Sequence, residues 1–428
     1  MPGVNKSAER ALLVGVVMPG DHGHDAADSL DELAQLTLTA GGTIRHTVTC
    51  TLREVHPATL IGAGKIKEIG GMCRDHDIDL IVVDEELAPA QQRNLEKELE
   101  TRVLDRTGLI LDIFAMRARS HEGKLQVELA QLEYLLPRLA GMWRHLSRLG
   151  GGIGTRGPGE TQLEVDRRLI RKRIQAVKMS LSRVKHRRIE NRKRRQRQQV
   201  AAISMVGYTN AGKSLLLNRL TSAETFVEDQ LFATLDPLTR RLALPSGRIV
   251  LITDTVGFIR KLPHQLVSAF RATLEEVVES DLLLHVIDSS HPRMEQHMEA
   301  VRGVLEELGA GAKPVVWAYN KIDLADDPAA LAASLQRRTP GATAVSALRG
   351  DGLEELMRSL DHALESTIAS LRLKVKYGAE ALLGEIRALG EIQEYEYQED
   401  GIAVTVRCPR NQVDRLVAMA TGGLIMRI

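Results

Sequence analysis

The chain has 428 residues, 43% of them hydrophobic and 26% charged, with a net charge of +1. That length supports several domains with full cores, and the ordinary composition excludes collagen-like, disordered and low-complexity classes. Three scattered cysteines, Cys50, Cys73 and Cys408, form no CxxC pair, which argues against a disulfide framework or a zinc site and suits a reducing compartment. No apolar run is long enough to span a bilayer. Ala11 to Met18 after Lys6 and Arg10 superficially resembles a signal peptide. No small-residue cleavage site follows it, and Leu12 to Val17 reads better as a first buried strand.

Residues 1–119 alternate strand-like and helix-like stretches, the mark of a small α/β domain. Leu12 to Met18, Ile44 to Leu52 and Asp79 to Asp84 read as strands, and Ser29 to Thr39 and Pro89 to Glu100 as helices. Gly62-Ala63-Gly64-Lys65 lacks the spacing of a phosphate-binding motif and reads as a strand-to-helix turn. His22 and His24 have no carboxylate or cysteine pattern beside them and read as a solvated loop.

Residues 120–199 predict an antiparallel helical hairpin. Leu125, Leu129, Leu132, Leu136 and Leu139 step by four and three, and Leu163, Ile170, Ile174, Val177, Leu181 and Val184 do the same. Pro137 should end or kink the first helix. The tip, 148–161, is rich in glycine. It carries Arg148, Gly154, Arg156 and Gly157, whose guanidinium and backbone N–H groups suit phosphate or RNA. From Arg167 to Arg197, fifteen lysines and arginines accompany a single acid, Glu190, so this stretch is about +14 and the rest of the chain about −13. Arg187, Arg188, Arg192, Lys193, Arg194, Arg195 and Arg197 are its densest part. One sign at that density is the footprint of a polyphosphate backbone, and RNA is the expected partner. No aromatics are interleaved, so base stacking is not expected there.

Residues 200–366 carry four motifs in order. Gly207-Tyr208-Thr209-Asn210-Ala211-Gly212-Lys213-Ser214 follows an apolar strand and precedes a helix, the setting of a phosphate-binding loop. Lys213 is placed to reach the β/γ-phosphates and Ser214 to ligate Mg²⁺. Asp254-Thr255-Val256-Gly257 ends a second strand: Asp254 would hold Mg²⁺ through water, and the Gly257 N–H would sense the γ-phosphate. Asn320-Lys321-Ile322-Asp323 selects guanine, because the Asp323 carboxylate can accept from both N1–H and N2–H₂ of that base. Ser346-Ala347-Leu348 offers N–H groups to the guanine O6. Between the first two motifs, Phe232-Ala233-Thr234-Leu235-Asp236 supplies Thr234 as the switch threonine that completes the Mg²⁺ shell, with Thr225 and Thr239 as competitors. The catalytic set is therefore Lys213, Thr234 and Gly257, in a guanine-nucleotide-binding P-loop domain. Phe258 stands where many GTPases carry a water-orienting Gln, which predicts slow hydrolysis without a partner. Asn210 either shapes its loop or helps hold a K⁺ ion near the phosphates. Residues 367–428 predict a small α+β module, with a hairpin around Asp400-Gly401. It shows no catalytic constellation.

Gly150 to Glu164, Asp166-Arg167-Arg168, the loop Gly207 to Ser214 and Asp254 to Phe258 together closely resemble the HflX family of translation-associated GTPases. Leu215-Leu216-Leu217 departs from the Thr-Leu-Phe common there. The resemblance covers nearly the whole chain. It implies binding to the large (50S) ribosomal subunit, both rRNA and ribosomal proteins, and GTP-dependent splitting of stalled or idle ribosomes. It also implies a glycine-rich tip that probes the peptidyl-transferase region, and ribosome-stimulated hydrolysis. The expectation is thus a multidomain α/β protein that is cytoplasmic and monomeric, with a ribosome- or membrane-surface-associated fraction. It would use GTP/GDP and Mg²⁺, with K⁺ as a candidate cofactor. An Obg-like assembly GTPase and a GTP-state-dependent regulator with incidental hydrolysis are the alternatives.

Overall fold

A computed structural model describes residues 8–19, 23–139, 162–197, 200–222, 231–232, 234–260, 274–379, 381–420 and 425–427. The chain forms two compact units that are not contiguous in sequence. The first comprises residues 1–185, 227–236 and 256–273, the second residues 186–226, 237–255 and 274–428.

The first unit is built on a four-stranded parallel sheet, ordered β2-β1-β3-β4. Its strands are β1 (Arg10–Val17), β2 (Thr43–Thr51), β3 (Leu80–Val83) and β4 (Arg102–Asp105). Central β1 is buried over nearly its whole length, which is why it reads as one continuous apolar run. The helices α1 (Gly23–Thr39), α2 (Ala63–Asp75), α3 (Pro89–Leu99) and α4 (Arg106–Arg117) connect or follow these strands. Gly62-Ala63-Gly64-Lys65 is the turn into α2, as expected.

Asp105 ends β4 and caps α4 by accepting from the Gly108 N–H at 2.8 Å. Its buried carboxylate also accepts from the Leu87 N–H at 3.1 Å, the Tyr134 hydroxyl at 2.8 Å and Arg138 Nη2 at 3.1 Å. One charge thus fastens strand, helix and the next helix, α5 (His121–Leu135), together. Burial beside Asp105 pushes the Tyr134 phenol well above its ordinary range.

α5 ends at Leu135, and a 3₁₀ turn holds Pro137, which cannot continue an α-helix. The long helix α6 (Gln162–Arg197) packs on α5 through Leu129, Ile174 and Val177, flanked by Leu125, Leu132, Ile170 and Leu181. The heptad residues of the two stripes therefore meet. Glu128 pairs with Arg173 and Glu133 with Lys178 beside this apolar contact.

The second unit contains a six-stranded sheet ordered β10-β9-β8-β5-β7-β6, parallel except for β6. Its strands are β5 (Ala202–Val206), β6 (Leu238–Ala243), β7 (Ile249–Asp254), β8 (Leu282–Asp288), β9 (Val315–Asn320) and β10 (Thr343–Ala344). The helices α7 (Lys213–Leu220), α8 (Met294–Glu307), α9 (Pro328–Arg338) and α10 (Leu353–Ser366) accompany it. Leu216 and Leu217 of α7 and Leu356, Leu360 and Leu364 of α10 fill one core with Ile203, Met205, Ile252, Leu284 and Val286. Beyond it an antiparallel sheet, ordered β12-β13-β11-β14, uses β11 (Ile368–Lys376), β12 (Glu391–Gln398), β13 (Gly401–Pro409) and β14 (Ile425–Arg427). The helices α11 (Ala381–Leu389) and α12 (Val413–Ala420) pack on it through Ile386 and Leu416. The multidomain α/β class with a small C-terminal α+β part is as the sequence predicts.

Candidate nucleotide site

The loop Gly207 to Ser214 leaves the carboxyl end of β5 and enters α7. Two of its glycines are required by space. A Cβ at Gly207, φ 155°, would lie 2.2 Å from the Val286 carbonyl oxygen. A Cβ at Gly212, φ 88°, would lie 2.3 Å from Asn320 Nδ2. The loop therefore curls as a cradle of backbone N–H groups at a helix N-terminus, which favours an anion.

Lys213 is buried beneath this cradle and donates to the carbonyls of Gly207 at 3.0 Å and Tyr208 at 2.8 Å. Burial lowers its pKa to about 8, and the nearby Asp254 charge opposes the drop. The Ser214 hydroxyl donates to Asp254 Oδ2 at 2.6 Å. A hydroxyl beside a buried carboxylate is a hard-oxygen pair of the kind that binds Mg²⁺. Among the described residues no three His, Cys, Asp or Glu side chains converge as a metal cage. The Ser214–Asp254 pair fits an ion whose other ligands are phosphate oxygens and water. Thr255 fastens the end of β7 to β5 by donating to the Met205 carbonyl at 2.6 Å.

The residues that the sequence assigns to the guanine base assemble on the same sheet. Buried Asn320, at the end of β9, donates to the Ala211 carbonyl and accepts from the Ala347 N–H, both at 2.9 Å. It thereby ties the phosphate loop to the Ser346-Ala347-Leu348 loop. Lys321 takes a left-handed conformation, φ 65°, and its ammonium pairs with Asp288 at 2.7 Å. Ile322 is buried, and the Ser346 hydroxyl donates to Asp323 Oδ1 at 2.5 Å. Arg219 of α7 donates to the carbonyls of Ala347 at 3.1 Å and Leu348 at 2.7 Å. Tyr208 is covered by His297, their rings stacked 3.7 Å apart. His285, in β8, is held neutral with a pKa of about 3, by burial first and by the Lys213 charge second.

Lys213, Ser214, Asp254, Asn320, Asp323 and Ser346 are thus brought together in the second unit. Phe232, Thr234, Leu235, Asp236, Val256 and Gly257 belong to the first. Phe232, Leu235, Val256 and Phe258 are buried there. Ala233, Arg148, Gly154, Arg156 and Gly157 lie outside the described residues. Arg187, Arg188, Arg192, Lys193, Arg194, Arg195 and Arg197 lie on α6, and their side chains are outside the described set. Sequence reasoning misses Asp288, Arg219 and the carboxylate of Asp236, which accepts from the N–H groups of Arg119 at 2.8 Å and Ser120 at 2.7 Å. They act on their partners across the fold and carry no motif spacing of their own.

Three family models match consecutive parts of the chain. They are a GTP-binding GTPase N-terminal region over residues 27–115, a GTP-binding GTPase middle region over 117–195, and a 50S ribosome-binding GTPase over 202–321. A GTPase HflX of Lacrimispora saccharolytica is 49% identical over 94% of this chain and 95% of its own length. The chain belongs to the HflX family of GTPases. The GTPase HflX of Escherichia coli K12 is 44% identical over 94% of both chains. Among solved structures, a GTP-binding protein of Sulfolobus solfataricus in complex with GDP is 25% identical, covers 84% of this chain and 99% of its own, and has a TM-score of 0.43. This HflX-family chain is a GTPase that binds GTP and converts it with water to GDP and phosphate. Its family generally uses Mg²⁺. Among the described residues no helix is long and apolar enough to cross a membrane.

Proposed function

We propose that this GTPase is a cytoplasmic, monomeric factor that binds the large ribosomal subunit and uses its GTP state to dissociate stalled or idle ribosomes. What supports the reading is that the guanine-nucleotide motifs follow a polycationic helix directly in the chain. α6 holds about +14 between Arg167 and Arg197, and β5, which leads into the phosphate loop, begins at Ala202. A charge of that density seeks a nucleic-acid backbone. The HflX relatives and the 50S ribosome-binding GTPase model favour ribosomal RNA as that backbone.

In this reading Lys213 and the cradle bind the β- and γ-phosphates, and Asp323, braced by Ser346, reads the guanine edge. Ser214 and Asp254 hold Mg²⁺, which neutralises phosphate charge when bound, and Thr234 and Gly257 report the γ-phosphate. Phe258 is apolar and buried and cannot orient the attacking water. Intrinsic hydrolysis is therefore slow, and the ribosome stimulates it. Asn210 takes a left-handed conformation, φ 60°, in the phosphate loop and is the candidate K⁺ ligand. Exchanging K⁺ for Na⁺ tests that role.

The deciding experiment is GTP turnover with and without purified large subunits, run beside sedimentation of intact ribosomes with GTP. The proposal expects stimulation and conversion of ribosomes to subunits. Equal turnover in both arms refutes it. Replacing Arg192, Lys193, Arg194 and Arg195 by Gln should weaken ribosome binding and flatten its salt dependence by up to about 0.7–0.9 per lost phosphate contact.

A further inference from the structure

The phosphate-loop motif leaves its second position open, so the cradle by itself does not explain why an aromatic ring stands at Tyr208. That ring is buried and lies face to face with His297 of α8, centroids 3.7 Å apart and planes 1° from parallel. His291 lies against His297 in turn, centroids 4.3 Å apart and tilted by 37°. The chain that carries these two histidines is fastened to the residues assigned to guanine. Asp288, at the end of β8, pairs with Lys321 at 2.7 Å. Ser289 donates to the Asn320 carbonyl from its N–H at 2.9 Å and from its hydroxyl at 2.7 Å. The Ser290 hydroxyl donates to Asp288 Oδ1 at 2.6 Å, and His291 Nδ1 accepts from the Arg293 N–H at 3.2 Å as α8 begins. At the other end of the stack, the Tyr208 carbonyl accepts from Lys213 Nζ at 2.8 Å and from the Ala211 N–H at 3.3 Å. All of these residues belong to the second unit.

We infer that His297 is a positioning residue for nucleotide binding: by covering Tyr208 it holds the carbonyl on which Lys213 rests, and so keeps the phosphate loop in its binding shape. This rests on the reading that Lys213 and the cradle bind the β- and γ-phosphates. Gly207 and Gly212 leave the loop conformationally free, and Thr209, Asn210 and Ala211 between them are small. Tyr208 is the large side chain by which the surrounding domain grips the loop. A loop that already has its bound shape loses no affinity to ordering itself. A stacked aromatic pair shifts an equilibrium by about two- to twelvefold beyond the area it buries. A shape set before the nucleotide arrives serves ground state and transition state alike, so the effect falls on affinity and not on the chemical step. His297 acts through Tyr208 and Lys213, which is why it is a positioning residue and not a catalytic one.

The test uses the full chain. GDP affinity is measured by calorimetry, kcat and KM by phosphate release, and folding by thermal unfolding. His297→Ala removes the cover and should weaken GDP binding about three- to tenfold and raise KM by the same factor, with kcat within about twofold of the parent. Tyr208→Ala should follow it. His297→Phe keeps a ring over Tyr208 and should bind GDP within about twofold of the parent. In a Lys213→Ala background the stack has no ammonium to hold, so adding His297→Ala should change GDP affinity by less than about twofold. Parental GDP affinity in both His297→Ala and Tyr208→Ala overturns the inference. So does a His297→Phe protein that binds as weakly as His297→Ala, and so does a loss of about threefold or more that persists in the Lys213→Ala background. If His297→Ala does not fold, Tyr208→Ala and His297→Phe decide. Lys213→Ala by itself separates the two layers. Parental GDP affinity there defeats the Lys213 reading and the inference with it. A large loss there, beside parental affinity in His297→Ala and Tyr208→Ala, defeats the positioning role alone.

Discussion

Replacing Asn320 by Ala should cost more nucleotide affinity than the loss of a surface contact would suggest. Asn320 is 2% exposed, and its amide joins two loops: Nδ2 donates to the Ala211 carbonyl and Oδ1 accepts from the Ala347 N–H, each at 2.9 Å. Removing the amide orphans one carbonyl and one N–H. A buried group left unsatisfied costs about 1–3 kcal/mol, and two of them about 2–4 kcal/mol if the loops relax in part. At 1.4 kcal/mol per tenfold, that corresponds to GDP affinity weaker by about 30- to 700-fold. Part of the cost falls on the nucleotide-free fold, so thermal unfolding without nucleotide is measured beside GDP titration by calorimetry. Asn320→Asp is the graded variant. It keeps the acceptor for Ala347 and loses the donor to Ala211, so it should fall between the parent and Asn320→Ala if the anionic oxygen facing the Ala211 carbonyl is tolerated. GDP affinity within about threefold of the parent in Asn320→Ala, at unchanged thermal stability, would refute the bracing argument.

Three further predictions rest on other contacts. Arg219→Ala frees the Ala347 and Leu348 carbonyls from α7 and should speed GDP dissociation about three- to tenfold with little change in stability, read by stopped-flow with a fluorescent nucleotide. Lys213 has a pKa of about 8 when folded, below its ordinary 10.5, so between these values the unfolded chain binds a proton that the nucleotide-free native protein does not. Stability of the nucleotide-free protein should rise with pH across that window, while GDP binding, which recruits the ammonium form, should weaken by up to about tenfold per unit and take up a proton, measurable by calorimetry in buffers of different ionisation enthalpy. Asp105→Ala leaves buried Arg138 without its carboxylate and should destabilise the first unit by about 3–5 kcal/mol, seen as a lower urea midpoint.

Much of the nucleotide site is legible in the chain because its chemistry is local. The cradle needs Gly207, Gly212, Lys213 and Ser214 within one turn. Asn320 to Asp323 need only the short stretch beyond β9 to present a carboxylate and a bracing amide. The alternation of β1, α1, β2, β3 and α3 is also legible, because β1 and β3 are continuous buried apolar runs and Pro89 marks the start of α3, although α1 begins at Gly23, ahead of the expected Ser29. β4 and α4 were harder to read. Arg102–Asp105 is four residues long, and α4 is buried along most of its first three turns, which blurs the periodic stripe that marks an amphipathic helix.

The sequence by itself determined the ligand class and the charge asymmetry, since both depend on which groups are present and how closely they follow one another. Tertiary structure alone decided partnership. The heptads of α5 and α6 state that two apolar stripes exist, yet only the fold shows that Leu129 meets Ile174 and Val177 with the pairs Glu128–Arg173 and Glu133–Lys178 beside them. Likewise the phosphate loop and the Thr234 segment are close in sequence, yet the fold places them in different compact units. Asp236 has no local signal for a helix start more than a hundred residues earlier, because its hydrogen bonds to Arg119 and Ser120 arise from the path of the chain and from the room that Gly123 leaves.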